Sequence, residues 1–271
     1  MKRIKSMLGR LLSKRSDKYG WSGDYSSWDK ARAIAGGYDQ QVILERTAGA
    51  MLKVKNNEAA YERDSVLFNK KEYPHALIAF LIYSATIRRA PLHILDFGGS
   101  LGTTYYQIRE FLTAENCASW NIVEQEHYVH TGNRDFSDER LKFYSSIDDC
   151  MKDRAIDFVL LSSTVQYLEA PHVFLKELAE RAFDFILFDR TAFNKDRQDR
   201  ITLQRVPPEI YPASYPSWFF HEDFFLSHFS GRYKVVAEFP SYVDGESEMC
   251  IDGKHKGICK GFFLINSQKY A

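Results

Sequence analysis

Residues 94–104 read Ile94-Leu95-Asp96-Phe97-Gly98-Gly99-Ser100-Leu101-Gly102-Thr103-Thr104. An apolar strand ends near an acid, turns through glycines and runs into the start of a helix. Gly98, Gly99 and Gly102 give the backbone the freedom such a turn needs and let a ligand come close. The helix that Thr103 or Thr104 starts adds unpaired N–H groups at its N-terminus. Two phosphate-binding templates fail here. A dinucleotide turn with its first glycine at 98 requires glycine at 100 and 103, where Ser100 and Thr103 stand. A P-loop requires Gly-Lys-Ser/Thr, which does not follow.

Working outward, short apolar runs alternate with helical patterns. Strands are predicted at His93–Phe97, Trp120–Glu124, Leu141–Tyr144, Ile156–Leu161 and Phe183–Asp189, with helices at Thr103–Thr113 and Pro171–Ala182. The first, fourth and fifth runs are apolar almost throughout, as when helices cover both faces of a sheet. Such alternation predicts an α/β, doubly wound parallel sheet over residues 91–271. Upstream, residues 19–90 read as a helical extension, with helices at Trp28–Ala35, Gln40–Lys53 and from Pro74 to about Arg89. The last is apolar nearly all round and is expected to be buried. Residues 190–220 hold no clear element but carry Pro207, Pro208, Pro212 and Pro216 among Tyr211, Tyr215, Trp218 and Phe219. They read as a functional loop in which the aromatics form a stacking wall for an acceptor or pack on themselves. A helix at His221–Phe229 and strands at Tyr233–Phe239 and Gly261–Asn266 complete the chain.

Asp96-Phe97-Gly98-Gly99-Ser100-Leu101-Gly102 resembles the acid-x-Gly-x-Gly-x-Gly motif of class I S-adenosylmethionine-dependent methyltransferases, with Ser100 in place of the middle glycine. The resemblance implies a Rossmann-like seven-stranded sheet, five parallel strands followed by a two-strand antiparallel end. It also implies that Gly98, Gly99, Ser100 and Gly102 pack under the amino-acid end of S-adenosylmethionine. Asp96 would hold the cofactor's ammonium directly or through water. Trp21-Ser22-Gly23-Asp24-Tyr25-Ser26-Ser27-Trp28 and Gly37-Tyr38-Asp39, taken with that motif, are similar to a bacterial family of methyltransferases associated with surface-polysaccharide synthesis. That likeness spans residues 21 to about 245 and implies a sugar or glycan acceptor, free or lipid-linked.

Glu124 ends the second predicted strand, 22 residues after Gly102. An acid there accepts two ribose hydroxyls in nucleoside-binding α/β folds, and its two oxygens match a vicinal diol. Ser145 follows the third strand and is a candidate for the adenine edge. Ser162 and Tyr167 lie at and just beyond the end of the fourth strand, which in the resembled family faces the transferable methyl. Tyr25 and Trp28 are candidates to cap the cofactor. An oxygen acceptor gains from a general base; His221, Asp223 and Asp189 at the end of the fifth strand are the candidates, His221 having the best intrinsic pKa near neutrality. No metal is expected, because Cys250, His255 and Cys259 supply only three ligands where a structural zinc wants four.

Lys+Arg and Asp+Glu are equal at 36 each, which argues against a nucleic-acid coat. Four cysteines without a CxxC pair read as reduced thiols in a cytosolic chain. The longest uncharged run, Tyr73–Ile87, is 15 residues, short of the roughly 20 that span a bilayer. Residues 1–18 hold seven basic residues against Asp17 alone, with Ile4, Met7, Leu8, Leu11 and Leu12 at helical spacing. This stretch reads as a basic amphipathic helix on an anionic membrane at the inner face, as a helix docked on its own domain, or as a frayed basic tail, and a mitochondrial transit peptide would look similar. Three functions stand at this level: methyl transfer to a sugar oxygen, methyl transfer to nitrogen on another small molecule, and nucleoside binding without catalysis.

Overall fold

The computed structural model describes residues 19–37 and 40–270, so the basic stretch 1–18 lies outside the described residues. The fold is built on one sheet. Its parallel half comprises β4 (Leu92–Phe97), β5 (Cys117–Val123), β6 (Leu141–Tyr144), β7 (Phe158–Ser162) and β8 (Phe185–Asn194). They run in the order β6-β5-β4-β7-β8. The long strand β13 (Lys254–Asn266) adds antiparallel to β8, and β11 (Tyr233–Pro240) adds antiparallel to β13. Seven strands with helices on both faces and one reversed strand inserted near the end form the Rossmann-like sheet that the sequence predicts.

Side chains alternate across this sheet with the strand period of two. Ile94, Ile122, Leu160 and Leu187 face one core, beneath α2 (Gln40–Lys55), α3 (His75–Arg88) and α4 (Thr103–Ile108). Leu95, Val123, Leu161 and Phe188 face the other, beneath α6 (Ile147–Asp153), α7 (Pro171–Glu180) and α8 (Glu222–Ser227). Helix α5 (Glu126–Asp135) joins β5 to β6. Both faces being covered is why these strands carry unbroken apolar runs.

Three expectations change. Helix α3 buries Leu77, Ile78, Leu81, Ser84 and Ala85 but leaves Ile82 and Tyr83 about half exposed, so its uniform apolarity overstates its burial. Residues 19–90 are not only helical. Beside α1 (Trp28–Ile34) and α2 they form β1 (Gly20–Tyr25) and a hairpin, β2 (Tyr61–Arg63) and β3 (Val66–Phe68). Residues 190–220 are mostly strand rather than loop. β8 continues to Asn194, and β9 (Arg200–Val206) pairs antiparallel with β10 (Ala213–Phe219). Pro207, Pro208 and Pro212 fall in the connection. Pro216 sits on β10, an edge strand, where a missing N–H breaks no ladder. β1 and β12 (Met249–Ile251) link this hairpin to the N-terminal half of β13, so the sheet has eleven strands among the described residues. The added strands stand over the carboxyl ends of the parallel ones and close a cavity there.

Candidate functional site

The sheet reverses its winding at β4, which has β5 on one side and β7 on the other. Ligands of open α/β sheets bind outside the carboxyl ends at such a switch point. A cavity of about 710 Å³ lies there, within the roughly 300–1,000 Å³ usual for small-molecule sites. Asp96, Gly98, Gly99 and Ser100 line it from β4, Glu124 and Gln125 from β5, Ser162, Ser163, Gln166 and Tyr167 from β7, and Arg190 from β8. The other wall comes from outside the parallel strands: Trp28 on α1, Glu62 and Arg63 on the β2–β3 hairpin, and Gln204, Tyr211 and Tyr215 around β9 and β10.

The glycine turn takes left-handed backbone at Gly98 (φ 74°), Ser100 (φ 54°) and Gly102 (φ 93°). A Cβ on Gly98 would meet the Thr164 side chain at 2.5 Å, and one on Gly99 would meet the Asp96 carboxyl at 2.6 Å. These two glycines therefore make room for the cavity's own floor. Gly102 caps α4 against Tyr106 and Leu141 and does not line the cavity.

Asp96 is buried, and the Trp120 indole N–H donates to its Oδ2 at 3.0 Å. Burial pushes its carboxyl up to about 7 against that hydrogen bond. Glu124 accepts from the Ser100 N–H at 3.3 Å and from its neighbour Gln125 N–H at 2.8 Å. One oxygen is used by each donor, which leaves lone pairs on both. Burial also raises its pKa. Glu62 is 2 % exposed and accepts from the Thr103 hydroxyl at 2.7 Å and from the Ser65 N–H. Burial lifts its carboxyl to about 7.

Beyond β7 the wall turns to neutral polar groups. Ser162 Oγ donates to the buried Asp189 at 3.0 Å, and the Tyr167 hydroxyl donates to Gln204 Oε1 at 2.9 Å. Burial keeps the Tyr167 phenol protonated. Gln166 Nε2 donates to the Arg190 carbonyl, so its Oε1 is fixed as an acceptor; that oxygen is buried and has no partner among the described residues.

Other sequence candidates lie elsewhere. The cavity lining does not include His221 or Asp223. His221 caps α8, its ring accepting from the Phe224 N–H at 3.4 Å, while the Asp223 side chain is 94 % exposed. A base expected just after the 190–220 segment is thus displaced, because that segment folds into β9 and β10 and carries position 221 past the cavity. Ser145 is exposed and hydrogen-bonds Asp149 rather than facing the cavity. Tyr211 and Tyr215 line the cavity with Trp28, whereas Trp218 stacks behind Trp28 at 6.2 Å and Phe219 is buried against Trp21. Tyr25 is not on the wall. Among the described residues no group of three or more potential metal ligands occurs. Sequence reasoning missed Glu62 and Arg63. Their only local sign is Asp64-Ser65, two turn-prone residues that take the left-handed conformation between two short strands.

The donor set fits a nucleoside carrying an ammonium. It offers a fixed carboxylate at the end of β5 for a diol and a second carboxyl under the glycine turn for a cation. No family model matches the chain, and no curated protein matches it. Among solved structures the chain is similar to the N-terminal domain of EvdMO1 with SAH bound, at 12% identity over 85% of this chain and 98% of that one, TM-score 0.48. It is similar to the glycopeptide N-methyltransferase MtfA complexed with S-adenosylmethionine, at 11% identity over 70% and 93%, TM-score 0.45. It is also similar to the [4+2]-cyclase SpnF, at 11% identity over 84% and 96%, TM-score 0.47.

Proposed function

We propose that this chain is an S-adenosylmethionine-dependent methyltransferase acting on a hydroxyl of a sugar or glycan, as in surface-polysaccharide synthesis. The observation that carries the reading is Glu124, with both carboxylate oxygens oriented at the cavity edge one strand from the glycine turn. Bound S-adenosylmethionine would supply an electrophilic methyl group on a positively charged sulfur. Glu124 accepts the two ribose hydroxyls. Asp96, when ionised, faces the ammonium beneath Gly99.

The remaining work is positioning, since the leaving group is already good. Tyr167, its hydroxyl held by Gln204, sets the acceptor's approach. Tyr211, Tyr215 and Trp28 supply flat apolar surface for a sugar face. Glu62, with a pKa near neutrality, is the carboxyl suited to receive the hydroxyl proton.

Calorimetry of the full chain with S-adenosylmethionine and S-adenosylhomocysteine tests the cofactor, and labelled methyl transfer to a panel of nucleotide sugars and glycans tests the acceptor. Binding with transfer to a hydroxyl supports the reading. No heat with either nucleoside overturns it. Binding without transfer to any acceptor, or transfer only to amines, replaces it with a binding module or an N-methyltransferase.

A further inference from the structure

The charges on the cavity wall do not cancel. Its guanidiniums are each matched by an acid: Arg63 donates to Glu72 at 3.1 Å, Arg190 to Glu246 at 2.7 Å, and Arg32 to Asp29 at 2.9 Å. Among the described residues no lysine or histidine lines the cavity. Four carboxyls remain on the wall. Asp96 and Glu124 belong to the nucleoside end, and Glu62 is buried and occupied by Thr103 and Ser65. Asp64 is the one of the four that is exposed, and its carboxylate has no hydrogen-bond or ion-pair partner among the described residues.

Asp64 stands at the tip of the two-residue turn between β2 and β3, where it and Ser65 take left-handed backbone (φ 53° and 64°). Aspartate tolerates that conformation better than most residues. The tip is anchored on both sides. Glu62 accepts from the Thr103 hydroxyl at 2.7 Å, and the Ser65 and Thr47 hydroxyls meet at 2.9 Å. The acid is therefore held in place before any ligand arrives. Its charge is felt across the cavity by the Tyr167 and Tyr215 phenols and by Arg190, all of which it pushes up. Asp96, by contrast, feels the charge of Glu124. Asp64 thus faces the acceptor half of the cavity, away from the glycine turn. The walls there are aromatic, with Trp28, Tyr211 and Tyr215 among them. A carboxylate set among aromatic rings suits an ammonium, which pairs with the acid and is attracted by the ring faces.

We propose that Asp64 selects an acceptor carrying a protonated amine, such as an amino sugar, and anchors it by that ammonium. This assignment rests on the functional reading above for the methyl transfer alone; the cation site stands without it. An opposite charge beside an amine favours its protonated form. An ammonium has no lone pair with which to attack the methyl group, so an acceptor anchored in this way still reacts through a hydroxyl.

The test is calorimetry on the full chain, wild type and Asp64→Asn, saturated with S-adenosylhomocysteine. D-glucosamine, N-acetyl-D-glucosamine and D-glucose are titrated in at mildly acidic pH, where the first is a cation and the others are neutral. Asparagine keeps the shape of the side chain and tolerates the left-handed turn, so the change removes the charge alone. The wild type is expected to bind glucosamine at least about fivefold more tightly than either neutral sugar, and Asp64→Asn to lose that preference. A wild type without the preference, or a variant that keeps it, overturns the proposal. S-adenosylhomocysteine and its deaminated analogue are titrated into both proteins as well. If Asp64→Asn weakens S-adenosylhomocysteine but not the deaminated analogue, the cation is the cofactor's own ammonium, and the acceptor assignment falls. Asp64→Gly, which suits the left-handed turn, is read by the same criteria should the asparagine variant not fold. Failure of the wild type to bind either nucleoside defeats the methyltransferase reading alone; the three sugars titrated into the nucleoside-free proteins then decide the role of Asp64 by the same comparison.

Discussion

The backbone N–H of Ser100 points at Glu124 Oε1 from 3.3 Å, tying the glycine turn after β4 to the acid at the end of β5. The Gln125 N–H holds the other oxygen, so the carboxylate is oriented before any ligand arrives. Preorganisation of this kind removes the cost of fixing a side chain on binding. Glu124→Ala is expected to weaken S-adenosylhomocysteine by about tenfold or more, since hydrogen bonds to a charged group are worth roughly 1.5–3 kcal/mol. Its melting temperature should stay near wild type, because Glu124 is only half-buried. Calorimetry beside a thermal melt checks both; unaltered affinity would remove Glu124 from the site.

Ser100 holds its left-handed φ without being glycine. That conformation costs an ordinary residue roughly 1–2 kcal/mol, while glycine adds entropy to the unfolded chain. The two effects oppose, so Ser100→Gly should be neutral to stabilising by at most about 1 kcal/mol. The N–H donated to Glu124 belongs to the backbone and survives the change. Denaturant unfolding and nucleoside titration measure the two consequences; a loss of stability above about 1 kcal/mol would mean that the serine hydroxyl has a structural role.

Asp96 gives the protein a pH signature. Burial raises its folded-state pKa to about 7, well above an ordinary carboxyl near 4. Below pH 4 both states hold the proton and Asp96 costs nothing. Between about 4 and 7 the unfolded chain ionises first, so stability falls as pH rises, and above 7 the loss is complete. The gap in unfolding free energy between Asp96→Asn and wild type should therefore grow in the variant's favour by at least about 1 kcal/mol from pH 4.5 to 7.5. A cationic ligand prefers the ionised form. S-adenosylhomocysteine should then bind more tightly at pH 8 than at pH 6 and release a proton as it binds. A flat pH profile for both quantities would place the carboxyl in an ordinary environment.

The sequence is most legible where one local rule governs. The apolar runs at 94–97, 158–161 and 185–188 become strands because burial on both faces leaves no other solution. Asp96, Gly98, Gly99, Ser100 and Glu124 converge because a strand–turn–helix unit fixes them within a few residues of a strand end. Legibility fails where distant segments complete the site. Pro207, Pro208, Pro212 and Pro216 suggest an open loop, yet three of them mark a hairpin connection and the fourth tolerates an edge strand. Glu62 and Arg63 belong to one three-residue strand, too short for any period to show, and only tertiary packing sets them beside Thr103 and Arg190. His221 looks like a base by its residue type and its place just after the aromatic segment; where it sits depends on where β10 ends, which spacing alone does not give.

Tyr167 and His221 separate two accounts of catalysis. Tyr167 stands on the cavity wall with its hydroxyl fixed by Gln204, whereas His221 spends its ring on the first turn of α8. At 3.4 Å that cap is long, so His221→Ala should cost less than about 1 kcal/mol of stability. With a responsive acceptor in hand, it should leave kcat/KM within about twofold. Tyr167→Phe keeps the ring packed against Tyr215 but removes the hydroxyl. It should lower kcat/KM about tenfold, the scale of one positioning hydrogen bond, without abolishing S-adenosylhomocysteine binding. Measuring both variants at saturating nucleoside distinguishes the accounts. A hundredfold loss in His221→Ala with an intact fold would return the histidine to the reaction and require α8 to approach the cavity during turnover.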